Sequence, residues 1–430
     1  MSNLFNIADV FAPASDEPII QSLLDTDMYK FTMGQFINTY DDWADTETTF
    51  SLTVRSDDVR LAEVIPPAQL REQLDAARDL RFQPSELAYL RGLPLDGGRL
   101  FGDAYIDFLS DFRLPEYDLE VTDDGRFDLS FSGPWKEVTY WETIALPIIS
   151  ELYYYSLFVG LYGRMLERTL STVEELRLYD LTFADFGTRR RHSFQHQRQV
   201  LDILAEQLPK QYIGTSNVYL AKQQGSSNPI GTNAHELPMI AANLTEHDDP
   251  EEVRRSQYEV VKRWHEIYPE LSVLLPDTFG TSQFLENAPA WMAEDCQGVR
   301  LDSKDPDVAT EEVISWWQDH GVDPQDRTLI PSDGLTPTRV NNLYRQHGHK
   351  VGTYTFGIGT NLTNNCAGVW PRTHDPGYEP FSVVIKVTEA AGKKTVKLSD
   401  NPEKAQGGER AEWFKDIFGT SGRTKQKLTV

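Results

Sequence analysis

The sequence predicts an α/β protein in which an N-terminal α+β domain precedes an irregular α/β barrel of about seven strands. Two observations lead to this fold class. From Leu181 onwards, short apolar runs alternate with helical patterns, and strand–helix units in series imply a parallel sheet with right-handed crossovers. Before Pro134, and again near the C-terminus, apolar and polar residues alternate, which is typical of antiparallel strands.

The N-terminal domain should contain an antiparallel sheet. Apolar residues alternate with polar ones at 50–54, and residues 119–131 alternate on both sides of Asp124-Gly125, the turn signal of a hairpin. The helical patterns cover approximately residues 68–81, 104–112 and 142–161. The last of these is long and apolar despite Pro147.

We place the first domain boundary where this long helix begins. The chain then divides into an N-terminal α+β domain, the barrel and a C-terminal segment, which cover residues 1–140, 141–375 and 376–430. The C-terminal segment contains a second hairpin signal at Ala391-Gly392, and we expect this hairpin to complete the N-terminal domain.

The barrel strands end in residues suited to binding an anion or hydroxyl groups. Seven strand ends are predicted, at 185–187, 214–216, 231–233, 276–278, 301–303, 332–334 and 356–360. The carboxyl ends of parallel strands share one edge, where ligands bind. Arg189, Arg190 and Arg191 should add positive charge to that edge, and His235 a nucleophile.

Composition excludes several classes of protein. The chain has 41 basic and 66 acidic residues, a net charge of −25, so nucleic acid is not an expected partner. No apolar run is long enough to span a membrane and the first residues do not resemble a signal peptide, so we expect a cytoplasmic protein. The acidic excess favours a salt-rich cytoplasm, with an ordinary acidic enzyme as the alternative. Cys296 and Cys366 should be free thiols rather than a disulfide or zinc ligands.

Three features of the predicted edge carry chemistry, and each has a simpler structural alternative. Two glycines and a threonine at 357–360 can cradle a phosphate, or form a plain turn. Asp277, Asp302 and Asp333 can bind ribose hydroxyls and Mg²⁺, or act as helix caps. His235 can act as a nucleophile, or fill a structural role.

Several motifs resemble those of nicotinate phosphoribosyltransferases. They are LLDTDMYKFTM at 23–33, GTNAHE at 231–236, GVRLDS at 298–303 and VKLSDNPEK at 396–404. The resemblance covers nearly the whole chain. It implies ATP-assisted transfer of phosphoribose from phosphoribosyl pyrophosphate to nicotinate, with Mg²⁺, in NAD salvage. The alternatives are nicotinamide or quinolinate transfer, or a catalytically silent ligand-binding relative.

The resemblance also implies roles for individual residues. ATP would phosphorylate His235, with Glu236 orienting its ring. Phe186 and Tyr29 of a neighbouring subunit would enclose the base, in a homodimer with shared active sites. Ser216 would select nicotinate, because a carboxylate there favours nicotinamide. The catalytic residues implied are His235, Arg189 and Asp302, with Mg²⁺ bound by Asp277 and Asp302.

The remaining substrate-binding residues implied by the resemblance are Thr188, Arg300, Ser332, Asp333, Gly334, Gly359 and Thr360. Gly359 and Thr360 would hold the ribose-bound phosphate, with Ser332 and Gly334 nearby. Lys304 departs from the family pattern, which leads us to expect glycine at this position. The sequence therefore leaves the geometry of the loop after Asp302 open.

Overall fold

The structure is a computed structural model that describes residues 17–56, 59–157, 162–365 and 381–424. The strands of the described chain are β1 (Glu47–Val54), β2 (Pro94–Leu95), β3 (Gly98–Arg99), β4 (Tyr117–Val121), β5 (Phe127–Pro134), β6 (Thr182–Asp185), β7 (Tyr212–Thr215), β8 (Val273–Leu274), β9 (Gly298–Leu301), β10 (Thr328–Pro331), β11 (Thr353–Ile358), β12 (Val383–Ala390) and β13 (Lys393–Lys394).

The longer helices flank these strands. They span Tyr29–Thr39, Pro67–Asp79, Pro84–Gly92, Asp103–Asp111, Trp141–Leu157, Tyr162–Leu176, Phe194–Gln207, Pro250–Ile267, Pro306–Asp319, Pro337–His347 and Arg410–Phe418. Shorter helices span Asp41–Ala44, Leu61–Val64, Trp135–Val138, Val218–Gln223, Glu236–Ala241, Thr281–Asn287, Ala290–Asp295 and Thr360–Thr363. No helix in the described part of the chain is both long and apolar enough to cross a membrane.

A five-stranded antiparallel sheet joins the two ends of the described chain, in the order β13-β12-β1-β5-β4. β12 pairs with β1 from Thr48↔Ala390 to Val54↔Val383. The hairpin predicted around Asp124-Gly125 forms from β4 and β5. A second hairpin turns at Ala391 and Gly392, whose φ angles of 53° and 70° suit the tight turn between β12 and β13.

The long apolar helix is present and belongs to the N-terminal core. It spans Trp141–Leu157 and keeps Pro147 within it. Ile144, Ile148 and Leu152 are buried in one hydrophobic cluster with residues of the N-terminal half of the chain. This helix therefore buries its apolar surface beside the antiparallel sheet.

The second half of the described chain forms the predicted parallel sheet, in the order β7-β6-β11-β10-β9-β8. It has six strands rather than seven, because the segment after Asn228 is irregular. Pro229 has no N–H group to donate to a strand ladder. The segment still bridges the edge strands: the Ile230 N–H donates to Thr215 O of β7 at 2.9 Å, and Asn233 Nδ2 donates to Val273 O of β8 at 3.2 Å. The mixed α/β class with a barrel-like domain is thus confirmed.

Cys296 is a free, buried thiol beside β9. Burial raises the pKa of this thiol to about 12, so it stays protonated and unreactive. Cys366 lies outside the described residues.

Candidate active site

A solvent-open cavity of about 1770 Å³ lies between the carboxyl ends of the parallel strands and the antiparallel sheet. Twelve of the residues predicted from the sequence line it: Tyr29, Phe186, Arg189, Ser216, His235, Arg300, Asp302, Ser332, Asp333, Gly334, Gly359 and Thr360. Most of them follow a strand directly, so the shared edge of the sheet brings them together.

Two predicted residues lie outside the lining of this cavity. Asp277 is buried behind His235 and accepts a hydrogen bond from Ser303 at 2.6 Å. Thr188 is fully buried, and its hydroxyl oxygen accepts hydrogen bonds from the amides of Gln197 and Asn217. Thr188 thus supports the loop after β6 instead of facing the cavity.

The His235 ring is held by a hydroxyl on one side and two carboxylates on the other. Nδ1 lies 2.9 Å from Thr278 Oγ1, and Nε2 lies 3.2 Å from Asp302 Oδ2 and 3.6 Å from Asp277 Oδ1. Burial lowers the pKa of His235 although the carboxylates oppose this shift. The imidazole is therefore neutral at pH 7, as a nitrogen nucleophile has to be.

Glu236 does not orient the His235 ring, so this expectation was wrong. Its carboxylate accepts hydrogen bonds from Lys30 Nζ at 2.5 Å, Trp135 Nε1 at 2.9 Å and Thr139 Oγ1 at 2.7 Å. It lies in a buried network on the N-terminal side of the site. Thr278 and Asp302 contact the His235 ring instead.

The two carboxylates beside His235 could bind a cation. Ligand atoms of His235, Asp277 and Asp302 lie within 4.8 Å of one another. Asp277 Oδ1 is buried and has no hydrogen-bond partner among the described residues. Burial would raise the pKa of Asp302, but Lys404 and His235 hold it well below its usual range, so it stays ionised. Carboxylate oxygens with an unsatisfied position suit Mg²⁺.

The aromatic part of the cavity depends on two glycines. A Cβ atom at Gly357 would lie 2.3 Å from the Phe186 ring, so only glycine lets this ring lie against β11. A Cβ atom at Gly231 would lie 2.7 Å from the Tyr29 backbone nitrogen. The loop that carries His235 can therefore pack directly against the helix that begins at Tyr29.

Tyr29 and His235 of one chain line the same cavity. This arrangement favours a Tyr29 supplied by the same chain over the expected one from a neighbouring subunit. The physical reason is the helix Tyr29–Thr39, whose Thr32 hydroxyl donates to Thr232 O at 2.6 Å and so attaches it to the loop that carries His235. Each chain thus brings its own Phe186 and Tyr29 to the cavity.

Arg189 and Ser216 are both tied to Asp27, a residue that the sequence analysis missed. The Ser216 hydroxyl donates to Asp27 Oδ1 at 2.7 Å, and Arg189 Nε lies 3.2 Å from Asp27 Oδ2. Arg189 also lies 3.4 Å from Glu142. Burial raises the pKa of Asp27, although Arg189 and the Ser216 hydrogen bond oppose this. Asp27 follows no strand, so the strand-end pattern could not reveal it.

Two other basic residues lie outside the cavity. Arg191 is fully buried and donates to Asp25 through Nη1 at 2.6 Å and Nη2 at 2.8 Å, with Glu151 2.7 Å from its Nε. It therefore stabilises the fold and does not charge the cavity. Lys304 binds Glu312 and Ser282 and does not line the cavity.

One wall of the cavity carries cations that the sequence analysis did not assign to the site. Arg55, which directly follows β1, Lys386 from β12, and Lys397 and Lys404 from the C-terminal segment line it, beside Arg190, which was expected there. Of these four cations, only Lys397 and Lys404 lie in a motif that the sequence analysis singled out, the one at 396–404.

Four of the cavity cations have no carboxylate within 4.0 Å in the part of the chain that the structure describes. They are Arg55, Arg190, Arg300 and Lys386. A chain with a net charge of −25 has acidic residues to spare, so cations left unpaired in one cavity indicate a site for an anion of high charge.

Comparison with known proteins assigns the chain to a family. The profile of the nicotinate phosphoribosyltransferase (NAPRTase) family matches residues 181–425, and the profile of the N-terminal domain of that family matches residues 24–150.

Solved structures give the same result. The chain is 30% identical to nicotinate phosphoribosyltransferase from Porphyromonas gingivalis, with a TM-score of 0.82 over 93% of this chain and 100% of that one. The Vibrio cholerae enzyme is 28% identical, with a TM-score of 0.83 over 94% of each chain. A putative nicotinate phosphoribosyltransferase from Saccharomyces cerevisiae is 29% identical, with a TM-score of 0.80 over 94% of this chain and 99% of that one.

Proposed function

The chain belongs to the nicotinate phosphoribosyltransferase family, and from this premise we propose that it transfers phosphoribose from phosphoribosyl pyrophosphate to the ring nitrogen of nicotinate, in NAD salvage. The observation that carries this proposal is the single cavity that joins an aromatic pocket, two glycine-rich strand ends and a set of unpaired cations. The aromatic pocket suits a base, the glycine-rich strand ends suit a sugar phosphate, and the unpaired cations suit a diphosphate.

The aromatic end of the cavity suits the pyridine ring. Phe186 and Tyr29 offer flat faces, and Arg189 lies 5.6 Å from the Tyr29 ring centroid. Arg189 can turn part of its guanidinium towards the carboxylate of nicotinate, since fork-shaped donors match that group. Asp27 and Glu142 keep Arg189 charged and positioned until the base arrives.

The phosphate of the ribose would lie at the glycine-rich ends of β10 and β11. Gly359 and Thr360 follow β11, and Ser332 and Gly334 follow β10. Backbone N–H groups are accessible to an anion there, since glycine has no side chain. Asp302 lies 3.2 Å from His235 and accepts a hydrogen bond from Ser332 at 3.4 Å. With Arg300, which also lines the cavity, it would bind the ribose hydroxyls.

Transfer needs no protein nucleophile at the sugar. The nicotinate nitrogen forms the new bond to the anomeric carbon, the bond from that carbon to the pyrophosphate oxygen breaks, and pyrophosphate leaves with the electron pair. Positive charge grows on the ribose during this exchange. Asp302, which stays ionised, would stabilise this charge.

The family resemblance and the neutral ring support His235 as the site that ATP phosphorylates. The ionised Asp302, 3.2 Å from Nε2, can only accept a hydrogen bond, so the ring proton lies on Nε2 and the lone pair on Nδ1, where the Thr278 hydroxyl donates to it. This lone pair would attack the terminal phosphorus of ATP, and ADP would leave. Mg²⁺ held by Asp277 and Asp302 would offset their negative charge beside the incoming phosphates. Hydrolysis of the phosphohistidine can then drive the condensation forward.

One assay tests the proposed function. The purified protein is given phosphoribosyl pyrophosphate, Mg²⁺ and ATP, with nicotinate, nicotinamide or quinolinate in separate reactions. We expect pyrophosphate release in the reaction with nicotinate and none in the reactions with nicotinamide or quinolinate. Release with another base would change the substrate, and binding without turnover of any base would identify a catalytically silent relative.

Ser216→Asp should weaken nicotinate binding by roughly 1–3 kcal/mol. The new carboxylate would lie against Asp27, which Ser216 now contacts at 2.7 Å, and both would face the anionic substrate. KM measurements for nicotinate and nicotinamide test this. Ser216→Ala is the matched control, because it removes the hydroxyl without adding charge. An unchanged KM for nicotinate in Ser216→Asp would show that the carboxylate binds elsewhere.

Mixing Tyr29→Ala with His235→Ala protein should restore no activity. Each cavity contains both residues from its own chain, so every site in a mixed assembly stays damaged. The two inactive proteins are unfolded and refolded together, and subunit exchange is followed with a size tag. Recovery of about one quarter of wild-type activity would instead demonstrate shared sites. The expected homodimer itself remains a prediction, which sedimentation of the wild type tests.

A further inference from the structure

A short C-terminal segment, residues 398–400, packs against the loops that follow β8 and β9. Its three residues are buried and do not belong to the lining of the cavity. The N–H groups of Leu398 and Ser399 both donate to Thr278 O, at 2.9 and 3.1 Å. The segment therefore fixes the backbone of the residue whose hydroxyl contacts Nδ1 of His235.

The same segment also orients the carboxylate of Asp277. The Asp400 N–H donates to Ser303 Oγ at 3.1 Å, so the hydroxyl proton of Ser303 is left to donate to Asp277 Oδ2, 2.6 Å away. This contact occupies Oδ2 of Asp277. The other oxygen, Oδ1, is then left to face the ring, where it lies 3.6 Å from His235 Nε2.

The Asp400 side chain fixes the loop after β8 a second time. Its Oδ1 accepts from the Thr281 N–H at 2.9 Å, and its Oδ2 accepts from the Thr281 hydroxyl at 2.5 Å. Thr281 begins the helix Thr281–Asn287, three residues after Thr278. Thr281 is buried, so loss of the carboxylate would leave its two donors unsatisfied and free the loop to shift.

The backbone of residues 398–400 is strained. Ser399 has a φ of 59°, in the left-handed region that residues other than glycine rarely adopt. Its hydroxyl accepts from the Asn401 N–H at 3.3 Å, a local bond that supports the turn. Strained backbone persists only where the surrounding contacts hold it, and it is concentrated at functional sites. The bonds to Thr278 and Ser303 are contacts of this kind.

We propose that Asp400 is a positioning residue for the phosphorylation of His235. It holds the two loops so that Thr278 faces Nδ1 of the ring and Asp277 faces Nε2. This inference rests on the proposed function. Asp400 lies outside the lining of the cavity, so its effect passes through the loops that it holds.

A displaced loop should affect one reaction and spare the other. Nδ1 of His235 carries the lone pair that would attack ATP, and Thr278 is its neighbour. The bonds exchanged between phosphoribosyl pyrophosphate and nicotinate do not involve the imidazole. Loss of Asp400 should therefore slow phosphorylation and leave transfer without ATP unchanged, whereas a general loss of structure would reduce both.

The experiment compares Asp400→Ala and Asp400→Asn with the wild type. Single-turnover labelling with γ-labelled ATP measures the rate of His235 phosphorylation, and nicotinate mononucleotide formation without ATP measures the transfer. Asp249→Ala is the matched control, because Asp249 is an exposed helix cap that accepts from the N–H groups of Glu251 and Glu252. Thermal unfolding establishes that each variant is folded.

We expect Asp400→Ala to phosphorylate His235 about 10–100-fold more slowly and to transfer phosphoribose without ATP at the wild-type rate. Asp400→Asn should recover most of the phosphorylation rate, because its amide oxygen still accepts from the Thr281 N–H. Asp249→Ala should match the wild type in both reactions. Undiminished phosphorylation in Asp400→Ala, an equal loss of both reactions, or no recovery in Asp400→Asn would overturn the proposal.

If Asp400→Ala does not fold, Thr281→Val tests the same contact. Valine keeps the shape of threonine and its backbone N–H, but it removes the hydroxyl that donates to Asp400 Oδ2. Phosphorylation of His235 should again slow while transfer without ATP stays unchanged. Phosphorylation at the wild-type rate in this variant would contradict the proposal.

Failure of the proposed function has a different signature. A wild type in which ATP labels His235 in an Asp400-dependent manner, but which transfers phosphoribose to no base, would retain the positioning role and lose the proposed reaction. A wild type that transfers phosphoribose to nicotinate, with undiminished phosphorylation in Asp400→Ala, would do the reverse. A wild type that ATP does not label at His235 would overturn the positioning role, whatever it transfers.

Discussion

His235→Ala should lower ATP hydrolysis by at least about a thousandfold and abolish the gain in affinity that ATP gives for phosphoribosyl pyrophosphate. Alanine has no nitrogen to accept the phosphoryl group, while Thr278, Asp277 and Asp302 remain in place. Slow transfer of phosphoribose without ATP should survive, because the bonds exchanged at the sugar do not involve the imidazole. Phosphate release and nicotinate mononucleotide formation are measured in parallel.

His349→Ala is the matched control, since His349 is exposed and does not line the cavity. It should leave ATP hydrolysis and transfer at wild-type rates. Acid-labile, base-stable labelling by γ-labelled ATP should be present in the wild type and the control, and absent from His235→Ala. ATP stimulation of the same size in His235→Ala would assign the phosphoryl carrier to another residue.

Lys30→Met should destabilise the protein by about 3–5 kcal/mol. Lys30 is fully buried, and its ammonium group lies 2.8 Å from Glu142 and 2.5 Å from Glu236. Burial would lower the pKa of Lys30, but these two carboxylates raise it, so the group is charged. Methionine fills a similar volume, leaves Glu236 buried without a cation and leaves Glu142 with Arg189 alone, 3.4 Å away. Urea unfolding followed by tryptophan fluorescence measures the loss.

Two further variants separate charge from packing. Lys210→Met changes an exposed lysine, and its free energy of unfolding should stay within about 0.5 kcal/mol of the wild type. Adding Glu236→Gln to Lys30→Met removes one orphaned charge and should recover part of the lost stability. If the free energy of unfolding of Lys30→Met lies within about 1 kcal/mol of the wild-type value, the ammonium group does not neutralise the two carboxylates.

The sequence was sufficient to predict the barrel side of the site for a local reason. Phe186, Ser216, Asp302 and Gly359 each follow a short apolar run, and parallel strands end at one edge. Strand identity and polarity therefore bring these residues together without any knowledge of long-range packing. The irregular segment at 229–233 departs from the pattern because proline and glycine interrupt the ladder.

The opposite wall could not be predicted in this way. Arg55 and Lys386 are more than 300 positions apart and meet only because β1 pairs with β12. In the alternating pattern of β12, a lysine at 386 indicates a solvent-facing position. Whether that face meets water or a second domain depends on how the two sheets pack, which no local pattern reports.

Glu236 shows a second limit of sequence reasoning. It is adjacent to His235 in the chain, which suggested a contact between their side chains. Glu236 begins a helix, and successive residues of a helix point roughly 100° apart. Its carboxylate therefore reaches Lys30, far away in sequence, while His235 reaches Thr278 and Asp302.

The pairing of β1 with β12 has a consequence for synthesis of the protein. β1 is synthesised first, and more than 300 further residues have to be translated before its partner β12 is available for pairing. Domains fold as units during translation, so the antiparallel sheet is completed last. The wall that carries Arg55 and Lys386 is then assembled only at the end, so a nascent or prematurely terminated chain lacks one side of the cavity.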